Sequence, residues 1–415
     1  MPPAPPGPIA VIGAGIAGVS CALYLQRDGH TVTLLDSRAP GTATSFGNAG
    51  GIVTGAVVPN STPALWRDLP SIAFDPNSAI RARWSYLPKV APWLVRFLWN
   101  GRDSKVRSVS RALQPLSSRA YDAHRELVAL SGAEGIVRLV GWLKVYETEA
   151  AFAHTAYDRA LMTESKVNFE VLDADDIRQL EPGLARRFVK GIFQPDSAFA
   201  ASPGGLVQAH AAQFKRMGGS IAHERVRGVQ PTGDGVILDC ELGFRRFGTV
   251  VIAAGAWSKE LARQVGDRVF LETERGYHLN LEPGEAGELR RPVMFPRFVL
   301  APMQDGIRLT SGVELAGLDA APDFTRIRKL LPVAQQYLPG LSDRVTRQWM
   351  GHRPSTPDAL PVIGASPHSP RILYSFGHQH LGLTLGPISG RLLAQMMTGE
   401  TPFTDPAPYA MGRFA

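Results

Sequence analysis

Cysteine is nearly missing from this sequence: two residues, Cys21 and Cys240, in 415. That excludes a disulfide framework, and with no CxxC pair there is no zinc motif to consider. Cys21 sits among small apolar residues in a predicted helix and reads as a buried, inert thiol. No apolar run reaches the ~18 residues that span a bilayer, so no integral anchor is expected. The net charge is +7, but no Lys/Arg-rich block or nucleic-acid motif accompanies it. The arginines therefore read as a solvated surface, and nucleic acid is not an expected partner. Tandem repeats are absent, and the one low-complexity stretch is the proline-rich start, Met1 to Pro8. It lacks the charged and apolar parts of a secretion signal, so a cytoplasmic location is expected, with ordered structure beginning near Ile9. What remains is 44% apolar and 20% charged, enough to bury a large core in two or three domains.

The most legible stretch follows at once. Ile9 to Ile12 is an all-apolar run suited to a strand buried on both faces. Gly13-Ala14-Gly15-Ile16-Ala17-Gly18 comes next, then a helical stretch from Val19 to Asp28 closed by Gly29. His30 to Leu35 reads as a second strand ending in Asp36, with Ser37 behind it. In such a βαβ unit Gly13 permits the tight turn and Gly15 lets backbone approach a pyrophosphate. Gly18 lets helix and strand pack closely, and Asp36 accepts from a ribose hydroxyl. A dinucleotide is expected here. NAD and FAD share the pattern, and the lack of a second GxGxxG argues against an enzyme carrying both.

Three later loops add to this. Ser45-Phe46-Gly47-Asn48-Ala49-Gly50-Gly51-Ile52 exposes backbone that can approach phosphates and a ring system, its alternative being an ordinary surface turn. A strand over Thr249 to Ala254 runs into Gly255-Ala256-Trp257, preceded by a helix from Pro203 to Gly218 with Ser202 as cap. Near the C-terminus come His352 to Gly364 and, after a strand from Ile372 to Phe376, Gly377 to Pro387. The last loop sets glycines at a strand-to-helix junction, where backbone N–H groups can face an anionic group. Its histidines, without nearby carboxylates, are not expected to hold a metal.

These segments, with Arg275-Gly276-Tyr277, occur in the order of the D-amino-acid oxidase and glycine oxidase superfamily. The chain resembles it over nearly its whole length, most nearly in the bacterial D-amino-acid dehydrogenase branch. The resemblance implies an α/β fold: a Rossmann-type FAD-binding domain (7–65, 196–265, 350–412) interleaved with a mixed α+β substrate domain (66–195, 266–349). It implies non-covalent FAD, held by the Gly13 to Gly18 unit, Asp36 and Ser37, Ser45, and Asn48 to Ile52. Ala254, Gly255 and Trp257 would join them, with Gly377, His378, Gly382, Leu383 and Thr384, and Val226 would lie at the adenine. Arg353 matches the arginine that grips the substrate carboxylate, a planar fork with permanent charge; the alternative is a structural ion pair with Asp358. Tyr277 could donate to that carboxylate or be a half-buried strand tyrosine. His352 and His380 are further candidates, His352 the weaker because a lone strand histidine usually packs. His380 stands where glycine oxidase-like relatives carry a second arginine.

The implied reaction is oxidative deamination of a D-amino acid, D-proline and hydroxyproline among the candidates, to an imino acid and then a 2-oxo acid. Electrons would pass to a quinone or other acceptor. An oxygen-using amine oxidase and a catalytically silent flavin-binding protein are the alternatives. Four of seven tryptophans, Trp66, Trp84, Trp93 and Trp99, crowd one segment. The stretch Pro88 to Trp99 suits either a helix packed over the substrate domain or peripheral contact with the inner membrane.

Overall fold

Short apolar strands joined through glycine dictate the first sheet. In the computed structural model, which describes residues 7–66, 80–285 and 289–414, Ile9–Ile12 lies at its centre with all four residues buried. Its six strands run in the order Ser220–His223, Val32–Asp36, Ile9–Ile12, Thr249–Ile252, Ile372–Phe376, Val362–Ala365. All pairs are parallel except the last. The first helix, Ile16–Arg27, starts three residues earlier than the pattern suggested, with Gly15 as N-cap.

Two glycines set how closely the C-terminal helix, Gly382–Thr398, lies on it. A Cβ on Gly390 would stand 2.9 Å from the Cys21 amide nitrogen, and one on Gly386 3.0 Å from the Ile16 side chain. Cys21 is thereby sealed in, and burial pushes its thiol up to about 12. The same core takes in Leu113, Leu116 and Leu127, so helices Asp103–Ser117 and Ala120–Ser131 pack with the dinucleotide half, although they fall within 66–195.

The second half is a nine-stranded mixed sheet built on long strands, among them Glu272–Leu281, Gly306–Leu315 and Val345–Ser355. Val345–Ser355 crosses the 349/350 boundary without a break. Glu272–Leu281 pairs on both edges and is buried at all ten positions although most of its residues are polar. A turn at Gln304 to Gly306 joins Val299–Met303 to Gly306–Leu315, with Gly306 at φ +121°.

The tryptophan-rich stretch forms the helix Leu87–Asn100. Trp93 is buried, donates its indole N–H to the Ser355 carbonyl at 3.0 Å and stacks on Phe97. Trp84, Val95 and Trp99 stay exposed, Trp84 at 84%. No helix among the described residues is long and apolar enough to cross a membrane.

Candidate active site

Between the two halves lies a cleft of about 1200 Å³, above the ~300–1000 Å³ of most small-ligand pockets. At one end the Gly13 to Gly18 turn is sterically fixed. A Cβ on Gly13 would lie 2.4 Å from the Ala253 carbonyl oxygen, and one on Gly18 would overlap the Gly13 carbonyl. Gly15 differs: a Cβ there would meet only Ser45 Oγ at 3.3 Å and otherwise faces the cleft. Ser45 Oγ accepts from the Ile16 amide at 3.0 Å, and Asp36 Oδ2 from the Ala14 amide at 2.7 Å. Ser37, Ala17, Val226, Ala254, Gly255 and Trp257 line the same end. So does Glu224, whose Oε2 is buried without a hydrogen-bond partner.

The two glycine loops meet further along. Thr384 Oγ1 donates to the Gly51 carbonyl at 3.2 Å and accepts from the Val53 amide at 3.1 Å. Asn48 Oδ1 accepts from the Gly50 amide at 2.8 Å. Gly382, Leu383 and Thr384 form the first turn of the C-terminal helix and line the cleft. No side chain caps that helix, so its positive end is open to an electron-rich group. Asn48, Ala49, Gly51 and His378 line the cleft as well, His378 with its Nε2 3.0 Å from Ser389 Oγ. Ala14, Gly18, Gly50, Ile52 and Gly377 stand behind this lining and shape it. Neither cysteine lines the cleft.

The far end belongs to the substrate sheet. Arg353 lines it and donates Nη1 to the Gly312 carbonyl at 2.9 Å. Gly312 has φ +83° and sits where Gly306–Leu315 slips register against Arg275/Tyr277, a bulge that aims its carbonyl at the guanidinium. Gly276 leaves room for the same group, since a Cβ there would come 2.3 Å from Arg353 Nη2. The structural partner considered for Arg353 is engaged elsewhere: Asp358 is bound by Arg413 Nε at 2.7 Å. Burial pushes the Arg353 guanidinium below its usual range, and Glu274 opposes this. His380 also lines the cleft, with Nδ1 3.2 Å from Asn60 Nδ2. The residue is exposed, so desolvation counts for little and the charges of Arg353 and Lys144 are left to disfavour its protonated form.

Two expected residues do not reach the cleft, and the physical reason is strand alternation. Gly351 and Arg353 face the cleft, so His352 between them faces away. Its Nδ1 is 3.0 Å from Thr273 Oγ1, and burial with Arg275 and Arg38 takes it to about 4. Tyr277 likewise lies on the reverse face from Gly276. Its hydroxyl donates to Glu314 Oε2 at 2.5 Å, and its ring packs edge-on to Phe324. Glu274 is one of the lining residues missed from sequence, as is Glu224. For Glu274 the signal was a charged residue two positions before Gly276 on one strand face.

The cleft suits an extended dinucleotide at the glycine end and a small carboxylate at the Arg353 end. The chain matches the FAD dependent oxidoreductase (DAO) family over residues 8–396. It is 35% identical over 416 residues to a D-amino-acid oxidase of Bradyrhizobium diazoefficiens, covering 98% of each chain. It is 31% identical over 423 residues to a D-amino acid dehydrogenase of Methylobacterium nodulans, covering 95% of this chain and 96% of the relative. Among solved structures its fold is similar to glycine oxidase from Geobacillus kaustophilus, with TM-score 0.74, 20% identity and 98% of each chain covered. It is also similar to L-proline dehydrogenase from P. horikoshii, with TM-score 0.75, 18% identity, and 98% and 97% covered. The protein is therefore a member of the DAO family of FAD-dependent oxidoreductases, an enzyme with FAD as its cofactor.

Proposed function

We propose that the protein oxidises a D-amino acid at Cα, giving an imino acid that water converts to the 2-oxo acid. The observation that carries this reading is Arg353, a half-buried guanidinium held by the Gly312 carbonyl at the substrate end of the cleft. FAD would be held without a covalent bond by the Gly13 to Gly18 turn, Asp36, and the Asn48 to Ile52 and Gly377 to Thr384 loops. Bound there, it supplies the acceptor for a hydride.

Alignment and a dry pocket fall to the chain. Arg353 takes the substrate carboxylate through two parallel hydrogen bonds. His380 lines the cleft with Arg353, whose guanidinium carries the carboxylate. The amine must be uncharged to react, and the bleaching rate is expected to rise with pH until the bound amine loses its proton.

D-Proline and hydroxyproline isomers are included as substrates because a secondary amine meets the same requirement. For the acceptor, a quinone or similar carrier reached at a membrane surface is supported by the exposed Trp84, Val95 and Trp99. A second reading, direct use of oxygen, is favoured by the 35% identical relative named an oxidase.

The test is an anaerobic flavin-bleaching screen with paired D- and L-amino acids, both prolines, hydroxyproline isomers, glycine and sarcosine. Bleaching by D-amino acids and not their L forms is expected. Bleaching by glycine or sarcosine alone, or by no compound, would overturn the reading. Admitting air then separates the acceptors, since rapid return of the oxidised flavin band marks an oxidase.

A further inference from the structure

Arg353 is not the only charged side chain at its end of the cleft. Directly across the strand pair stands Glu274, its register partner, on the same face of the sheet. Glu274 is 5% exposed, lines the cleft, and its Oε2 has no hydrogen-bond partner. An unpartnered carboxylate oxygen in so enclosed a place costs free energy, more so when the group is charged. Packing does not account for it.

We propose that Glu274 receives the amino group of the substrate: Arg353 binds the carboxylate while Glu274 accepts hydrogen bonds from the nitrogen on the same Cα. This rests on the reading of Arg353 given above and extends it from a carboxylate site to a site for a whole zwitterion. The two charges of an α-amino acid are separated by one carbon, and the two protein charges sit on adjacent strands at one register position. A carboxylate here also has somewhere to send the proton that the amine must lose. The ammonium nitrogen gives one proton to Glu274 and keeps its electron pair, and Glu274 becomes a neutral acid. Burial favours that neutral form, raising the Glu274 carboxyl above its ordinary range, with Arg353 and then the Ser355 hydroxyl opposing and Glu272 on the same strand assisting. Tyr277, Arg275 and Glu314 lie on the other face of the strand and take no part.

The consequence is selectivity for the amine, separate from affinity for the carboxylate. The experiment uses the FAD-loaded protein under anaerobic conditions. D-Proline and D-alanine are compared with the same skeletons lacking nitrogen, cyclopentanecarboxylate and propionate. Amino acids are read by half-saturation of bleaching and the acids by competition. Wild type should prefer each amino acid over its amine-free counterpart by at least tenfold. Glu274→Gln should weaken the amino acids at least tenfold while the acids bind as tightly or more tightly, and its bleaching rate should rise only at higher pH. Equal weakening of both classes would mean that Glu274 merely positions Arg353, and would overturn the proposal, as would unchanged amino-acid binding. Should Glu274→Gln fail to hold FAD, the wild-type ratio decides: a ratio near one overturns the proposal. Failure of the underlying reading is distinct, because the amine-free acids would then bind Arg353→Met as well as wild type.

Discussion

Two glutamates flank one strand pair and lead opposite lives. On the reverse face, Glu314 is saturated: Arg83 Nε at 2.9 Å, Arg275 Nη1 at 3.2 Å and the Tyr277 hydroxyl at 2.5 Å all donate to it. On the cleft face, Glu274 faces Arg353 with an oxygen left over. Both are enclosed and both have an arginine nearby. Burial works against the charge of Glu314, but the three donors outweigh it and hold its carboxyl below the ordinary range. Burial of Glu274 is not outweighed, and its carboxyl is raised. Glu314 makes its bonds within the fold, whereas Glu274 keeps an oxygen free at the cleft, and such a buried unpaired group calls for an explanation.

That contrast can be broken or sharpened by substitution. The largest effect is expected at Arg353. Arg353→Met should lower the bleaching efficiency at least about 100-fold, because one guanidinium carries the carboxylate, while the flavin spectrum and melting temperature stay near wild type. On the reverse face, Glu314→Gln should destabilise the fold by about 3 kcal/mol in urea unfolding, since Arg275 is left fully buried without its counter-charge. Its bleaching rate per bound flavin should be unchanged.

The same residue predicts a pH dependence. A depressed native carboxyl contributes stability that is complete above the unfolded glutamate range and is lost as pH falls through the native value. Unfolding curves between pH 7 and 3 should therefore fall more steeply for wild type than for Glu314→Gln. At the other end of the cleft, Gly15→Ala adds a methyl that meets little protein, so the chain should fold and yet bind FAD about tenfold more weakly in apoprotein titrations. The smallest effect on the chemistry belongs to Tyr277→Phe, which should cost about 2 kcal/mol of stability for its lost bonds to the Glu314 carboxylate and from the Asp323 amide, with no change in bleaching. A large loss of substrate affinity there would put Tyr277 back at the substrate.

The dinucleotide half was readable from sequence because steric necessity writes it plainly. Gly13 and Gly18 have no space for a Cβ, the central strand Ile9–Ile12 is an uninterrupted apolar run, and Asp36 sits at the expected strand end. The substrate half hides its site for the opposite reason. Its strand Glu272–Leu281 mixes polar and apolar residues and is buried on both faces, so polarity does not tell inside from outside there. His352 and Tyr277 were candidates for the substrate with a packing role as the alternative, and strand alternation sends them to the face opposite Arg353 and Gly276. Glu274 was passed over because it shows its meaning only when Arg353 is seen across from it. The bulge at Gly312, which holds Arg353, has no sequence signal beyond one glycine in a strand.

The most direct measurement sets Glu274→Gln beside Glu314→Gln, each loaded with FAD, and records urea unfolding and anaerobic bleaching by D-proline and D-alanine on the same preparations. The two faces predict a crossed result. Glu314→Gln unfolds at lower urea and bleaches like wild type, whereas Glu274→Gln unfolds like wild type and needs at least tenfold more amino acid. If Glu274→Gln instead loses stability and keeps its affinity, the cleft-face glutamate is part of the scaffold and the division between the two faces is wrong.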